Sequence, residues 1–235
     1  MRLLDLMEPE ETVGNLWHDM AKGIGADVGY PEAGVSLASV RSSLAVLFRA
    51  LGGAPGVELG EAAATLVQHR RPLRRKLGAE RDREWIARFD GERLALPPVI
   101  VAFPEQSLNR AAYFWLTAMA ALTDVSELDL TGEGVAQDCA QIRANAVAGD
   151  TAFAACPGLR QAYSQMARFC ADKRPDVSRP AQEAVLEAAI RDQLCGNIPS
   201  LDRTPTSRGY MPFAPVPVWL RFAVPASGAV AQGDQ

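Results

Sequence analysis

The stretch FPEQSLNRAAYFWLTAMAAL, residues 103–122, decides the fold because its apolar residues recur at the spacing of a buried helix. Pro104 suits the first turn, where its missing N–H would have no partner anyway, and Glu105 places an anion near the helix N-terminus. The apolar face is formed by Leu108, Ala112, Trp115, Leu116, Met119 and Leu122. We therefore predict a central helix here, with Tyr113 and Trp115 as core or interface residues.

Other helices are predicted on both sides of this stretch. Residues 8–24 carry one apolar stripe, and a second helix begins after Ser36 as its N-cap and ends at the pair Gly52-Gly53. Three more helices are predicted at residues 135–147, at residues 158–171 and from a Ser178 cap through Cys195.

The clearest β signal is a hairpin at residues 84–96. Trp85, Ala87 and Phe89 alternate along one face, and Asp90-Gly91 is a favoured two-residue turn. An isolated hairpin is marginal in water, so it must pack on the helices. The predicted fold class is mainly α, a multi-helix domain with one small β-hairpin.

The chain divides by composition at about residue 198. Residues 1–198 are predicted to form a helical domain, and the 48% hydrophobic content of the chain is enough to fill its core. Residues 199–235 are rich in proline and poor in periodicity, which predicts a linker or tail whose last residues are disordered.

Charge and hydropathy exclude two classes of partner. The net charge of −4 and the pI of about 5.3 argue against nucleic-acid binding. The longest apolar run lies within residues 111–122, which is shorter than the roughly 20 residues that span a bilayer. The N-terminus turns acidic where a signal peptide would continue apolar. We expect a cytoplasmic protein that is peripheral to a membrane at most.

The residues offer no recognisable catalytic chemistry. Neither a nucleophile motif nor a phosphate-binding glycine loop is present in the sequence. The four cysteines form no CxxC pair, and with only two histidines a zinc site would have to gather distant ligands. The prediction is a non-enzymatic domain with no cofactor and no metal.

Two groups of residues are candidate docking sites for a partner. The stretch at residues 69–83 is the densest charge cluster, and it can be a docking surface for an acidic partner or phosphates, or a solvated loop, which we favour. Its candidate docking residues are Arg70, Arg71, Arg74 and Arg75.

Aromatic side chains form the second group, inside the Pro-rich region. Tyr210, Phe213 and Trp219 stand among prolines, where exposed aromatic rings are costly unless they dock on something. They can pack back on this domain, which we favour, or bind a neighbouring domain or protein through a polyproline-type surface.

Several segments resemble the N-terminal region of the NorD family, the nitric oxide reductase activation proteins. They are MEPEETVGNLWHDM at residues 7–20, SLASVRSSLAVLFRALGG at 36–53, LALPPVIVAFPEQSLNRAAYFWLTAMAAL at 94–122 and RGYMPFAPVPVWLRF at 208–222. Family members of this kind carry a C-terminal von Willebrand A domain with a metal-ion site, and this sequence ends before any such domain, so we expect it to be either the N-terminal part of a longer protein or a truncated member. The resemblance therefore assigns no metal ligand within this chain.

The resemblance also implies a function and partners. Such proteins work beside a MoxR-type AAA+ ATPase (NorQ-like), so the expected role is a non-catalytic adaptor, or chaperone, in denitrification. It would assist maturation of nitric oxide reductase through insertion of non-haem iron. One alternative is a CbbO-like adaptor for Rubisco activation. Another is a stand-alone helical ligand-binding or enzymatic domain, which predicts a deep polar pocket.

Overall fold

The structure, a computed structural model, describes residues 29–66, 83–178, 180–201 and 209–224. It is mainly α, as predicted. The helices of the described residues are Leu37–Ala50 (α1), Gln106–Ala121 (α2), Val135–Ala155 (α3), Arg160–Lys173 (α4) and Ala181–Leu194 (α5). Short 3-10 turns lie at Pro31–Ala33, Val125–Glu127 and Pro157–Leu159.

The strands are short and form small sheets beside the helices. They are Val35–Ser36 (β1), Glu58–Glu61 (β2), Ala64–Leu66 (β3), Arg83–Trp85 (β4), Arg88–Phe89 (β5), Arg93–Leu96 (β6), Val99–Ile100 (β7) and Arg221–Phe222 (β8). A mixed sheet has the order β2-β6-β5-β8, in which β5 and β6 are antiparallel and the two outer pairings are parallel. The pairs β1–β7 and β3–β4 are antiparallel.

The predicted hairpin is present but shorter than expected. Strands β5 and β6 pair through Phe89 and Leu94, whereas β4 turns away to pair with β3. At the turn the Asp90 carboxylate accepts hydrogen bonds from the N–H groups of Glu92 (2.9 Å) and Arg93 (2.6 Å). Gly91 has φ of +88°, a conformation that costs glycine little.

The caps predicted for α1 are confirmed. The Ser36 hydroxyl accepts a hydrogen bond from the N–H of Ser39, and Gly52 follows the helix with φ of +92°. A Cβ added at Gly53 would lie 2.2 Å from the Phe48 ring, so glycine is the residue that fits at this position without moving the ring.

Helix α2 is the central helix, and it packs on α1, α3 and α4. It begins at Gln106 with Glu105 as N-cap, so Pro104 precedes the helix instead of lying in its first turn. Tyr113 and Trp115 are both buried, and the Tyr113 hydroxyl donates to the carbonyl of Pro97 at 2.7 Å. The α2 side chain of Asn109 is also buried and donates to the carbonyls of Ala33 and Phe103.

Two other helix boundaries differ from the prediction. Ser178 does not cap α5: the helix begins at Ala181 with Pro180 at the N-cap position, where a missing N–H leaves no unpaired donor. Helix α3 continues to Ala155, because the Ala-rich sequence beyond residue 147 remains compatible with a helix. The predicted helix at residues 8–24 lies outside the described residues.

The Pro-rich region contains the largest correction. Residues 209–224, called the C-terminal segment below, do not behave as the predicted linker or tail, because they add β8 to the mixed sheet and enter the core. Their buried side chains are Val216, Val218, Trp219, Leu220 and Phe222. The remaining residues of the predicted tail, 202–208 and 225–235, lie outside the described residues.

Candidate functional site

The structure describes only one of the two groups of candidate docking residues. Arg70, Arg71, Arg74 and Arg75 lie outside the described residues, so their docking role stays a prediction. The aromatic residues of the second group pack on this domain, the alternative favoured from the sequence. Trp219 is only 5% exposed, and Phe213 makes an edge contact with it at a ring-centroid distance of 6.3 Å.

Two buried amide side chains on α3 hold the backbone of the C-terminal segment. Gln141 donates to the carbonyl of Phe222 (2.8 Å) and accepts from the N–H of the same residue (3.0 Å). One turn further along α3, Asn145 pairs in the same way with both backbone groups of Leu220, each at 2.9 Å. These amides occupy the outer edge of β8 and satisfy groups that a neighbouring strand would otherwise pair.

A tryptophan on the central helix extends this pattern. The indole Nε1–H of Trp115 donates to the carbonyl of Val218 at 2.9 Å. The same ring stacks on Tyr163 and Phe153, with centroid distances of 4.4 and 4.8 Å. Burial raises the pKa of the Tyr163 hydroxyl to about 12. Helix α2 is therefore joined to the C-terminal segment by one directed hydrogen bond within an aromatic cluster.

Asp138, in the first turn of α3, is the polar centre at the start of the segment. Its carboxylate is 1% exposed and accepts from the Tyr210 hydroxyl, from the N–H of Phe213 (3.3 Å) and from the Arg221 guanidinium (3.1 Å). Burial and the neighbouring Asp138 raise the pKa of Tyr210 well above its usual value. Asp138 thus joins residues from both ends of the segment.

A buried ion pair and a second carboxylate hold the middle of the segment. The Arg174 guanidinium, after the end of α4, donates to both oxygens of Glu187 on α5 at 2.5 and 2.8 Å, and to the carbonyl of Ala214 at 2.6 Å. Glu183 on α5 accepts from the N–H of Met211 at 3.1 Å. Both members of the ion pair are nearly inaccessible to solvent.

These contacts form one unit, which we call the backbone clamp. Its members share one property: each binds a main-chain atom of the C-terminal segment. They are Trp115, Asp138, Gln141, Asn145, Arg174 and Glu183. Since main-chain atoms are common to all residues, the clamp fixes an extended conformation, while the buried apolar side chains fix its register.

Neither the best-formed depressions nor the titratable side chains of the described residues form a site for a small ligand or a metal ion. The two best-formed depressions have volumes of about 20 and 40 Å³, close to that of one water molecule. Among these residues no three His, Cys, Asp or Glu side chains converge as metal ligands. The helices of the described part of the chain are all too short or too polar to cross a bilayer.

Sequence reasoning missed the clamp, although two signals for it were present. Val216, Val218, Leu220 and Phe222 alternate with period two, which is typical of a strand. Gln141 and Asn145 are spaced by four residues on an Ala-rich helix, so they lie on one face. The sequence could not pair the two signals, because the partners lie 75 to 81 residues apart.

Comparison with known proteins identifies relatives for nearly the whole chain. A protein named NorD from Brucella suis is 32% identical over 225 residues, which cover 92% of this chain and 35% of that protein. The chain is a homologue of the NorD proteins. The resemblance noted in the sequence is thereby confirmed, and the match is consistent with the N-terminal NorD region.

Other relatives show the same partial coverage. NorD of Stutzerimonas stutzeri is 33% identical over 78% of this chain, and an uncharacterized protein of Pseudomonas aeruginosa is 32% identical over 91%. The chain spans about a third of the length of the curated relatives it matches. No protein-family model and no solved structure matches the chain.

Proposed function

We propose that this domain is a non-catalytic adaptor in the activation of nitric oxide reductase. In this role it works with a MoxR-type AAA+ ATPase and assists maturation of the reductase, with insertion of the non-haem iron as the assisted step. Homology to NorD proteins over 92% of the chain supports the reductase as the target. The ATPase and the iron step rest on the family resemblance noted in the sequence.

The backbone clamp is the observation that carries the adaptor role. It holds residues 211–222 at six main-chain positions spread over the segment, and β8 adds main-chain bonds to β5 through Ala87 and Phe89. A pull on the chain beyond residue 224 is therefore opposed by three helices and a sheet together. A segment anchored in this way would transmit a pull to the whole domain, which supports the adaptor role.

The other proposals from the sequence fit the described residues less well. A stand-alone ligand-binding domain requires a pocket of roughly 300 Å³ or more, and depressions of about 20 and 40 Å³ argue against one in the described part of the chain. The CbbO-like role requires the same adaptor logic with Rubisco as the target. Names of the relatives favour the reductase.

Co-purification tests the proposal. The tagged chain is produced in a denitrifying host together with the ATPase and the reductase, and Rubisco is added in a separate arm. We expect the ATPase or the reductase to be retained with the chain, and Rubisco to pass through. Retention of neither reductase nor ATPase would contradict the adaptor role, and retention of Rubisco alone would favour the CbbO-like alternative.

A genetic experiment tests the maturation step. In a host that depends on a full-length NorD relative, the region matching residues 29–224 is deleted and the reductase is purified from membranes. The expected enzyme contains haem but lacks non-haem iron and activity. A reductase with its full iron content would contradict the proposed step. The control is the same relative without the deletion, purified in parallel, which should yield a reductase with its full iron content and activity.

A further inference from the structure

The C-terminal segment consists of two arms that are both bound by one buried carboxylate. Phe213 of the first arm donates its N–H to Asp138 at 3.3 Å, and Arg221 of the second arm binds the same carboxylate at 3.1 Å. Between the arms the chain turns, and the N–H of Trp219 donates to the carbonyl of Val216 at 3.0 Å. The segment therefore leaves the first turn of α3, where this carboxylate lies, and returns to it.

The second arm runs along α3 towards the start of that helix. Leu220 is bound by Asn145, whereas Phe222, two residues further along the segment, is bound by Gln141, one turn closer to the helix N-terminus. The chain beyond β8 is therefore directed towards the N-terminal end of α3. A pull on Val224, the last described residue, acts along β8 when it has this direction.

The main-chain bonds of β8 lie across this direction, because the N–H and C=O groups of a strand point to its two edges. On one edge the N–H groups of Arg221 and Ala223 donate to the carbonyls of Ala87 (2.8 Å) and Phe89 (3.0 Å), and on the other edge lie the α3 amides. A pull along the strand loads all these bonds together. A pull that lifts the end of the segment loads them one after another.

We propose that the C-terminal segment is a load-bearing connection whose strength depends on direction. It resists a pull on residue 224 along β8, and it is released by a pull that lifts residue 224 away from the first turn of α3. In the first case the load passes to α3 and the mixed sheet together, and in the second the segment separates bond by bond. This inference rests on the proposed function for the source of the pull, since the ATPase proposed there would supply the force.

Force spectroscopy with optical tweezers tests the proposal on the full chain. One handle is attached at Val224→Cys, which is 67% exposed in the native residue, and the other at one of two exposed positions on α3. With Thr151→Cys the second handle lies past Asn145, towards the far end of the helix, which gives the pull along β8. With Gln137→Cys it lies in the first turn, towards which the second arm runs, which gives the lifting pull.

Both handle pairs are placed in chains that carry Cys156→Ala and Cys195→Ala, so that the native thiols that remain are buried. At the same loading rate we expect the rupture force for the pull along β8 to be at least about twofold higher, since main-chain bonds of similar strength then break together instead of singly. The lifting pull should give a short first extension, at most about 80 Å for the chain after Leu201, before the rest of the chain unfolds.

Equal rupture forces for the two pulls, or a higher force for the lifting pull, would overturn the proposal. Asn145→Leu provides a second test, because it removes both bonds from α3 to Leu220. It should lower the force for the pull along β8 and leave the first rupture of the lifting pull unchanged, since lifting releases Ala223 and Phe222 before it reaches Leu220. An unchanged force for the pull along β8 would also count against the connection. These forces are measured without a partner, so they do not depend on whether the ATPase and the reductase are retained in co-purification.

Discussion

The strongest prediction concerns Gln141, which is 2% exposed and binds both main-chain groups of Phe222. Leucine at this position has a similar size but cannot form either hydrogen bond. The substitution Gln141→Leu therefore leaves the N–H and carbonyl of Phe222 without their partner on α3. A buried main-chain group without a partner costs about 1–3 kcal/mol.

Two such groups set the loss for Gln141→Leu at about 2–6 kcal/mol. The new leucine avoids the cost of burying an amide, and local relaxation can admit water, so we expect a loss of about 2–4 kcal/mol. A domain stability of about 5–15 kcal/mol would leave the variant folded but clearly weakened.

Urea unfolding, followed by circular dichroism and tryptophan fluorescence, measures this loss as a lower midpoint at unchanged slope. The matched control is Gln137→Leu, the same substitution four residues earlier, in the first turn of the same helix, where the side chain is exposed. It should change the free energy of unfolding by at most about 0.5 kcal/mol. A Gln141→Leu variant as stable as Gln137→Leu would refute the reasoning, since the clamp would then contribute no stability.

Three further predictions concern other parts of the core. Glu187→Ala leaves the Arg174 guanidinium buried without its ion-pair partner and should lower the free energy of unfolding by about 3–5 kcal/mol. The double variant R174M/E187L removes both charges and should lose less stability in the same urea assay. An equal or larger loss in the double variant would contradict this. Burial raises the pKa of the Cys170 thiol from 9.0 to about 12. Between these two pH values the native chain retains the thiol proton that the unfolded chain loses. The contribution of this thiol to the free energy of unfolding should therefore be fully present below pH 9 and fall between pH 9 and 12. The Cys170→Ala variant should show a shallower fall in the urea midpoint over that range, and an identical pH profile would argue against the assignment. In the native chain at pH 8 a thiol reagent should modify the exposed Cys195 but not the buried Cys139 and Cys170, which should react only after urea is added. Rapid modification of all cysteines without urea would show that the core is accessible to solvent.

Local sequence signals predicted the parts of the fold that depend on neighbouring residues. The N-cap at Ser36, the glycine stop at Gly52 and the turn at Asp90-Gly91 are each determined within a few residues. The central helix was also predicted, because its apolar periodicity extends over four turns. Its start was misplaced at Pro104, since helix ends depend on cap geometry that periodicity does not report.

The C-terminal segment was misassigned for a different physical reason. Its prolines exclude a helix and its composition is that of a linker, so the segment was assigned to a linker or tail even though packing of its aromatic residues on the domain was favoured. Its order comes from partners far away in sequence: Asn145 and Gln141 for the main chain, and Trp115 for the carbonyl of Val218. Such long-range pairing has no local signature beyond the period-two alternation. The resemblance to NorD proteins was carried by the four quoted segments and did not require the clamp to be recognised.

Native-state hydrogen exchange measures the central claim, that residues 209–224 are an integral part of the domain, most directly. The amide protons of Leu220 and Phe222 are bonded to Asn145 and Gln141, so they should exchange only through global unfolding. The account predicts opening free energies for these two amides equal to those of buried amides in α2, such as Leu116 and Met119. Exchange of Leu220 and Phe222 at the rate of an unstructured peptide, while α2 remains protected, would contradict it.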